Sequence, residues 1–492
     1  MIANIFKTAV YHHSKKNFLK AKEIYETLLK TNPNNFDILQ NYAVLLSQIK
    51  EYKKAGKIFE KALKIKSSDF LLVYNYAKFF HDQKFFEKAI KFYKEAFKLN
   101  PKNDLSLYNI GNIYSALKKF EESIRYFKKA IEINPSNFRA YNNIGFVYKY
   151  MGNFEEAEKF YKKAIGKNVN YINAHLNYAT VLLTLEKLES GFEEYEWRKK
   201  GKNFSDYTNY TNLKIKTPIW NGEDLRNRTI LIFTEQGIGD LFQFSRYLYL
   251  LKEKFKCKII LRLKQNLSHF FESKEIKTIT EKDNVPPHDF HNHLVSLPGI
   301  FYKKNKSFPS NKNFIQFDED KLKKWKFFFS SFTGPKVGIN ADSTIRVGAT
   351  GQLQRMIPIK YFKTLTDLKN INFFIIQKDF DKKKLKIINK NSNVNYFEKL
   401  DKVGKPFEDT IGIIKNLDLI ITADTSIAHL SATLEKKTWI ALPFVSDWRW
   451  FRDEKKSKWY DKALLYRQKK IGNWEEIFKS IRKDLEKNFM QE

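Results

Sequence analysis

The chain has a single cysteine, Cys257, among 492 residues, which excludes an intramolecular disulfide and suits a reducing compartment. Long apolar runs are missing as well, and no stretch approaches the roughly 18 residues that would suggest a membrane span. The opening Met1 to Lys7 lacks the uncharged core of a signal peptide and reads as the start of a helix, so the expected location is the cytoplasm. Arginine is scarce, at 13 of the 89 basic residues, and the remainder are lysines spread along every segment. Arg is the side chain that reads bases and phosphates bidentately. Without a clustered Arg stripe, the net charge of +34 does not call for nucleic acid. Abundant Lys, Asn, Ile and Phe together read as a compositional bias that also favours solubility, with a general attraction for anions as the other reading.

Aromatic residues, by contrast, are plentiful at 16% of the chain, and in the first 205 residues they recur. Positions 34 apart carry Pro33, Ser67, Pro101, Pro135 and Val169 where helix pairs end. A small residue returns at Ala9, Ala43, Ala77, Gly111, Gly145 and Ala179, and a second at Ala21, Ala55, Ala89, Ser123, Ala157 and Gly191. Aromatics return at Tyr25, Phe59, Tyr93, Phe127, Tyr161 and Tyr195. Small residues let two helices approach closely, and the aromatics fill the gap to the next pair. The pattern resembles the tetratricopeptide repeat and predicts an α-solenoid over 1–205, about five repeats plus a capping helix pair.

A further register is Asn41, Asn75, Asn109, Asn143 and Asn177, each two residues before the small residue of a first helix. A side-chain amide offers an acceptor and two donors, matching a peptide backbone without regard to its sequence. Stacked along one groove, five such amides could hold an extended polypeptide. The register resembles the asparagine ladder of the O-linked N-acetylglucosamine transferase repeats. The alternative is that each amide bonds only the neighbouring helix.

From about Thr217 the pattern changes to strands alternating with helices. Thr229 to Thr234, Lys258 to Leu263, Val337 to Asn340, Phe373 to Gln377, Leu417 to Thr422 and Thr438 to Leu442 read as strands, and Leu241 to Lys254 as a helix. Strand, crossover, strand predicts doubly wound parallel sheets, whose ligands bind beyond the strand carboxyl ends near helix N-termini. Two strand-to-helix turns stand out. In Gly237-Ile-Gly239-Asp240 the glycines permit close backbone approach, and Asp240 either faces a ligand or caps the helix. In Asp424-Thr425-Ser426-Ile-Ala-His429 the hydroxyls and helix N–H groups suit a diphosphate, with His429 one turn on as a ligand or a core imidazole.

The segments TEQGIGDLFQFSRYL, HNHLVSLPGIF, DTSIAHLSATL, DWRWFRDEKKSKWY and LLYRQ, in that order, resemble the bacterial tetratricopeptide proteins with a heptosyltransferase-like, GT-B glycosyltransferase domain. GFEEYEWR and PIWNGEDLRNRTIL resemble that family's junction. The resemblance implies two Rossmann-like halves, 206–325 on the acceptor side and 326–492 on the nucleotide-sugar side with a C-terminal helix. It implies Asp240 as the general base of an inverting transfer, with Gly237, Gly239, Gln243 and Arg246 nearby. Donor contacts would come from Asp424, Thr425, Ser426, His429, Arg355 and Gln377. Asp447, Trp448, Arg449, Trp450 and Arg452 match a late loop near the donor, whose indoles either stack on a base or sugar or brace the cleft. No metal or other cofactor is expected, because dipoles and cations can stabilise the leaving diphosphate. The strings Asp318-Glu-Asp320 and Asp379-Phe-Asp381 mimic a metal-binding Asp-x-Asp but read as helix-start or loop carboxylates.

The chain departs from the family between Asn340 and Arg355, where the Trp-x-Gly start and the His and Asp before the arginine are missing. Met356 stands for a serine, and Glu435 and Thr438 for glycine and proline. The reading that joins both halves of the chain is a nucleotide-sugar-dependent transferase acting on a polypeptide held by the repeats. Its alternatives are a glycan or lipopolysaccharide transferase with the repeats docking a partner, and a repeat scaffold with an inactive GT-B domain.

Overall fold

A computed structural model describes residues 2–201, 213, 215–263, 267–309, 315–340, 356–378, 380–401, 404–452 and 454–490. The chain divides into two compact units, Met1–Ala174 and His175–Glu492.

Unit 1 is a stack of helix pairs: α1 (Ile2–Ser14) with α2 (Phe18–Thr31), α3 (Phe36–Gln48) with α4 (Tyr52–Ile65), and α5 (Phe70–Asp82) with α6 (Phe86–Leu99). Next come α7 (Leu105–Ala116) with α8 (Phe120–Ile133) and α9 (Phe138–Tyr150) with α10 (Phe154–Lys167). The recurring aromatics Tyr25, Phe59, Tyr93, Phe127 and Tyr161 are all fully buried, as are Ala9, Ala21, Ala43, Ala55, Ala77 and Ala89. Where the small residue is Gly111, an added Cβ would stand only 2.7 Å from the Phe127 ring, and Ser123 of the other register donates its Oγ to the Gly111 carbonyl at 2.8 Å. The turn inside each pair is equally periodic. Lys16, Lys50, Lys84 and Lys118 all have φ near +60°, Gly152 takes the same place at +78°, and Glu186 repeats it at +60°. A left-handed residue costs a side chain roughly 1–2 kcal/mol, so pair-to-pair burial outweighs local strain five times over.

The helix pair α11 (Ile172–Thr184) and α12 (Leu188–Tyr195) spans the division between the units. Unit 2 then holds two all-parallel sheets. The first comprises β1 (Thr229–Phe233), β2 (Lys258–Arg262), β3 (Ile276–Ile279) and β4 (Phe290–His293), in the order β3-β2-β1-β4. The second comprises β5 (Lys336–Asn340), β6 (Asn372–Ile375), β7 (Val394–Tyr396), β8 (Leu419–Ala423), β9 (Thr438–Leu442) and β10 (Ala463–Arg467), in the order β10-β9-β8-β5-β6-β7. Strand order therefore reverses direction between β1 and β4 and again between β5 and β8, as in doubly wound α/β sheets. Alternation along the strands feeds different cores: Phe373, Ile375, Leu419 and Ile421 face one. Phe374, Ile376 and Ile420 face another that is continuous with Ile230, Ile232, Phe244 and Leu261 of the first sheet's half. The halves of unit 2 thus share one apolar core.

Two expectations need correction. The helix anticipated over Leu241 to Lys254 is two helices, Ile238–Phe244 and Arg246–Phe255, broken at Ser245, whose Oγ bonds the Phe242 carbonyl at 2.9 Å. Strands β3, β4, β7 and β10 were not anticipated, being three to five residues long and all of them edge strands. Asp318 behaves as a helix-start carboxylate, its Oδ1 accepting from the N–H groups of Asp320 and Lys321 at 2.9 and 3.1 Å, and Asp381 caps Lys383 likewise at 2.9 Å. Asp379 lies outside the described residues.

Phe127→Ala should lower the stability of unit 1 by about 3–5 kcal/mol, the cost of emptying a fully buried aromatic site. Urea unfolding followed by helical circular dichroism would measure it, and a loss below 1 kcal/mol would mean that the aromatic register does not carry the stack.

Candidate functional site

The reversal point of the first sheet is crowded with charge. Glu235, just past β1, accepts from Arg198 Nε and Nη2 at 3.0 and 2.8 Å through Oε1, and pairs through Oε2 with His293 Nδ1 at 3.0 Å, at the end of β4. Arg198 also donates to Ser296 Oγ at 2.7 Å, and Ser296 in turn donates to Glu196 at 2.9 Å. All of Arg198, Glu235, His293 and Ser296 are buried. Burial raises the Glu235 carboxyl, but Arg198 and His293 outweigh it and hold the group below the usual range. For Glu196, burial again opposes, and Arg198 with Lys199 brings the value down to about 2. Such a cluster is stable only because each charge is paired. It ties the turn after α12 to the carboxyl edge of the first sheet.

Beside it, Thr234, Glu235, Gln236, Gly237, Ile238 and Asp240 line a half-open pocket together with Leu241, Leu267, Leu294 and Val295. Asp240 Oδ2 accepts the Gly237 N–H at 3.0 Å, which is its helix-capping bond. Its Oδ1 accepts from Arg449 of the second half. Burial raises the Asp240 carboxyl above its ordinary value and Asp447 adds to this, while Arg449 opposes both. Capping and site-facing, the two readings offered by the sequence, are therefore compatible.

The second half meets this turn closely. A Cβ on Gly239 would stand 2.9 Å from His429 Cδ2 and 3.5 Å from Ser426 Cα, so glycine is what lets the turn reach the N-terminus of the helix Ser426–Thr433. That helix follows β8 at the reversal point of the second sheet and is capped by Thr425, whose Oγ1 accepts from Ile427 N at 3.2 Å. At the same carboxyl edge, Asn340 Oδ1 at the end of β5 and Gln377 Oε1 just past β6 are buried with no hydrogen-bond partner. Such orphaned acceptors are costly. Asp424 is buried at the end of β8.

Several predicted contacts turn out to be walls. His429 is 5% exposed, its Nδ1 is bonded to Tyr460 Oη at 3.0 Å, and its ring stacks on Trp450, so it packs as the core imidazole. Trp448 and Trp450 are buried, and Trp448 stacks on Phe244 and meets Phe192 and Tyr195 edge-on. The indoles brace the cleft, and neither presents a free face. Arg246 spends its Nη1 on the Trp459 carbonyl at 2.6 Å and lies over the Tyr460 ring, clamping the halves together. Gln243 is fully buried with neither amide atom bonded. Arg355 lies outside the described residues, together with all of the divergent loop after Asn340. Arg198, Glu235, Gln236, His293 and Asn340 were not singled out from the sequence. The segments holding the first four were quoted only as family landmarks, and nothing local marks a buried ion pair formed across 37 or 58 positions.

In the repeat unit, all of Asn41, Asn75, Asn109 and Asn143 are half-buried. Asn109 Nδ2 donates to Tyr74 Oη at 2.8 Å and Asn143 Nδ2 to Tyr108 Oη at 3.1 Å, each on the preceding repeat. Asn41 Nδ2 bonds the Asp37 carbonyl at 2.9 Å. Bonding of the neighbouring helix, the plainer of the two expectations, thus holds at two positions; Asn143 Nδ2 also donates to Asn112 Oδ1 at 2.8 Å, and its Oδ1 accepts from Asn142 Nδ2 at 3.0 Å. Asn177 is half-buried on α11 in unit 2.

Tetratricopeptide repeat models match residues 24–57, 72–103, 105–137 and 138–171, so the N-terminal region consists of tetratricopeptide repeats. Protein FlbA of Caulobacter vibrioides is 21% identical over 320 residues, covering 60% of this chain and 52% of that protein. The chain thus spans about half the length of that curated relative. Among solved structures, MamA is 24% identical over 34% of this chain and 92% of its own, with a TM-score of 0.31. Pseudomonas aeruginosa pilF is 18% identical over 42% and 96%, with a TM-score of 0.36. YrrB, described as a TPR protein with an unusual peptide-binding site, is 19% identical over 36% and 91%, with a TM-score of 0.29. Likenesses this loose carry no argument about ligand. No helix among the described residues is long and apolar enough to cross a membrane.

The buried histidines at β4 set a pH response. Burial lowers His291 to about 4, with His293 nearby adding to it, and burial lowers His293 too, against the pull of Glu235. Both histidines protonate more readily in the unfolded chain, so their contribution is complete above about pH 6.5 and is lost on acidification. His291 alone contributes on the order of 3 kcal/mol to that loss between pH 6.5 and 4, and Glu196 acts in the same direction between about 4.5 and 2. Unfolding midpoints in urea should fall as pH drops from 7 to 4, and His291→Gln should flatten the curve. A flat wild-type profile would contradict this account of the buried cluster.

Proposed function

We propose that this chain transfers a sugar from a nucleotide-sugar donor to a polypeptide held by the tetratricopeptide repeats, through a GT-B-type pair of Rossmann-like halves. The observation that carries the proposal is the meeting of the two reversal points at Gly239, the residue before Asp240, which lies against the N-terminus of the Ser426–Thr433 helix. Ligands of doubly wound sheets bind at such points, and the dipole at a helix N-terminus favours a diphosphate.

In this reading Asp240 takes the proton of the acceptor hydroxyl as its oxygen attacks the anomeric carbon from the face opposite the diphosphate. The new C–O bond forms as the bond to the diphosphate oxygen breaks, and the diphosphate leaves with that electron pair, inverting the centre. Burial suits Asp240 to the task, because a carboxylate raised above its ordinary range is the stronger base. Thr425, Ser426 and the helix N–H groups hold the leaving diphosphate, with the orphaned Asn340 and Gln377 carbonyl oxygens available to hydroxyls of the nucleoside or sugar. The repeats contribute partner binding, as the family does generally, with Asn41 and Asn75 as acceptor contacts.

Purified protein incubated with UDP-, GDP-, ADP- and CMP-sugars and a polypeptide acceptor should give a mass increment with one of them. Asp240→Asn should cut the rate by about 100-fold or more while donor binding is retained, and an undiminished rate would sink the base assignment. Asn41→Ala with Asn75→Ala should raise KM for the polypeptide more than it lowers kcat. An unchanged KM would move the acceptor from polypeptide to glycan.

A further inference from the structure

Arg449 is the cation bonded to Asp240, and its bonding is divided. It is buried, and one nitrogen, Nη1, serves Asp447 Oδ1 of its own turn at 2.8 Å. Nη2 crosses to the first half, donating to Gln236 Oε1 at 2.9 Å and to Asp240 Oδ1. Nε has no partner at all. The guanidinium carbon lies over the Trp448 ring, 4.5 Å from its centre, with the Phe244 ring centre at 5.5 Å. One cation thus serves two carboxylates, and a guanidinium with five N–H donors keeps bonding capacity in reserve.

A diphosphate held at the Ser426 helix N-terminus would lie next to Gly239-Asp240, where carboxylate and phosphate repel at short range in a poorly solvated cleft. The side chain placed to relieve that repulsion is the one already bonded to Asp240. Its fork matches phosphate oxygens bidentately as well as it matches a carboxylate. Moving from one anion to the other would shift the guanidinium across the Trp448 ring that it lies over.

We infer that Arg449 is shared between Asp240 and the donor diphosphate, so that donor binding draws the guanidinium away from the carboxylate and frees the base lone pair for the acceptor hydroxyl. The inference rests on the sugar-transfer reading and extends it. Arg449 acts as a positioning residue: it keeps Asp240 engaged until a diphosphate is present, which orders the two substrates, donor first.

Calorimetric titration with UDP, GDP, ADP, CDP and inorganic pyrophosphate separates this from a structural ion pair. Sharing predicts that Asp240→Asn, which removes the competing anion, tightens diphosphate binding by about tenfold. Arg449→Gln should weaken it by a similar factor, and the double variant should lose the gain that Asp240→Asn confers alone. A purely structural pair would make both single variants neutral or weaker and their effects additive. Arg449→Lys, which keeps charge but not the fork, guards against a misfolded Gln variant and should bind with a smaller response to Asp240→Asn. Binding that Asp240→Asn leaves unchanged overturns the sharing and leaves the sugar-transfer reading standing. No binding of any probe by wild type or variant overturns both.

Discussion

A guanidinium in a poorly solvated cleft is tolerated only when the groups around it are placed to meet its charge, and Arg449 sits under that constraint. Its turn, Asp447 to Trp450, comes from the second sheet's half, and two of its acceptors, Gln236 and Asp240, come from the first. Neither half alone completes the set. The aromatic support under the cation is also drawn from both, Trp448 from one side and Phe244 from the other. Arg246 repeats the arrangement in the opposite sense, reaching from the first half to the Trp459 carbonyl. With a continuous apolar core beneath these links, the cleft is an internal seam of unit 2, and the geometry at Asp240 follows from how that seam closes.

The two units solve the same burial problem by different means. In the repeats, each aromatic fills a space bounded by small residues a fixed distance away in the chain, so packing is local and repeated. The left-handed turn residues at 16, 50, 84 and 118 are lysines, which shows that nearest-neighbour packing can override a local conformational preference. In unit 2 the defining contacts join residues far apart, such as Arg449 with Asp240 across 209 positions. There, parallel strands must be brought together by crossovers before any of the site exists.

This difference governs what was legible. The 34-residue register, the buried small and aromatic positions, and the central strands β1, β2, β5, β6, β8 and β9 could be read because each is a periodic or continuous apolar pattern. The short strands β3, β4, β7 and β10 could not, since three to five residues carry too little pattern to separate from loop. At the site, the two glycine- and hydroxyl-bearing turns were visible as turns. The fate of their neighbours was not: His429 as a stacked core ring, Trp448 and Trp450 as braces, and the Arg198–Glu235–His293 cluster all depend on partners supplied from elsewhere.

For the asparagines the same limit holds, because a side-chain amide bonds whatever lies nearest, and Tyr74 and Tyr108 come into range only once consecutive repeats are stacked. By itself, then, the sequence determined the solenoid, the change to an α/β region and the positions of its two turns, since these follow from spacing along the chain. Which charges pair, which rings are walls and how Asp240 is held were decided only by tertiary structure. Burial and pairing are properties of neighbours in space, and a residue's chemistry in a low-dielectric cleft is set by those neighbours more than by its own identity.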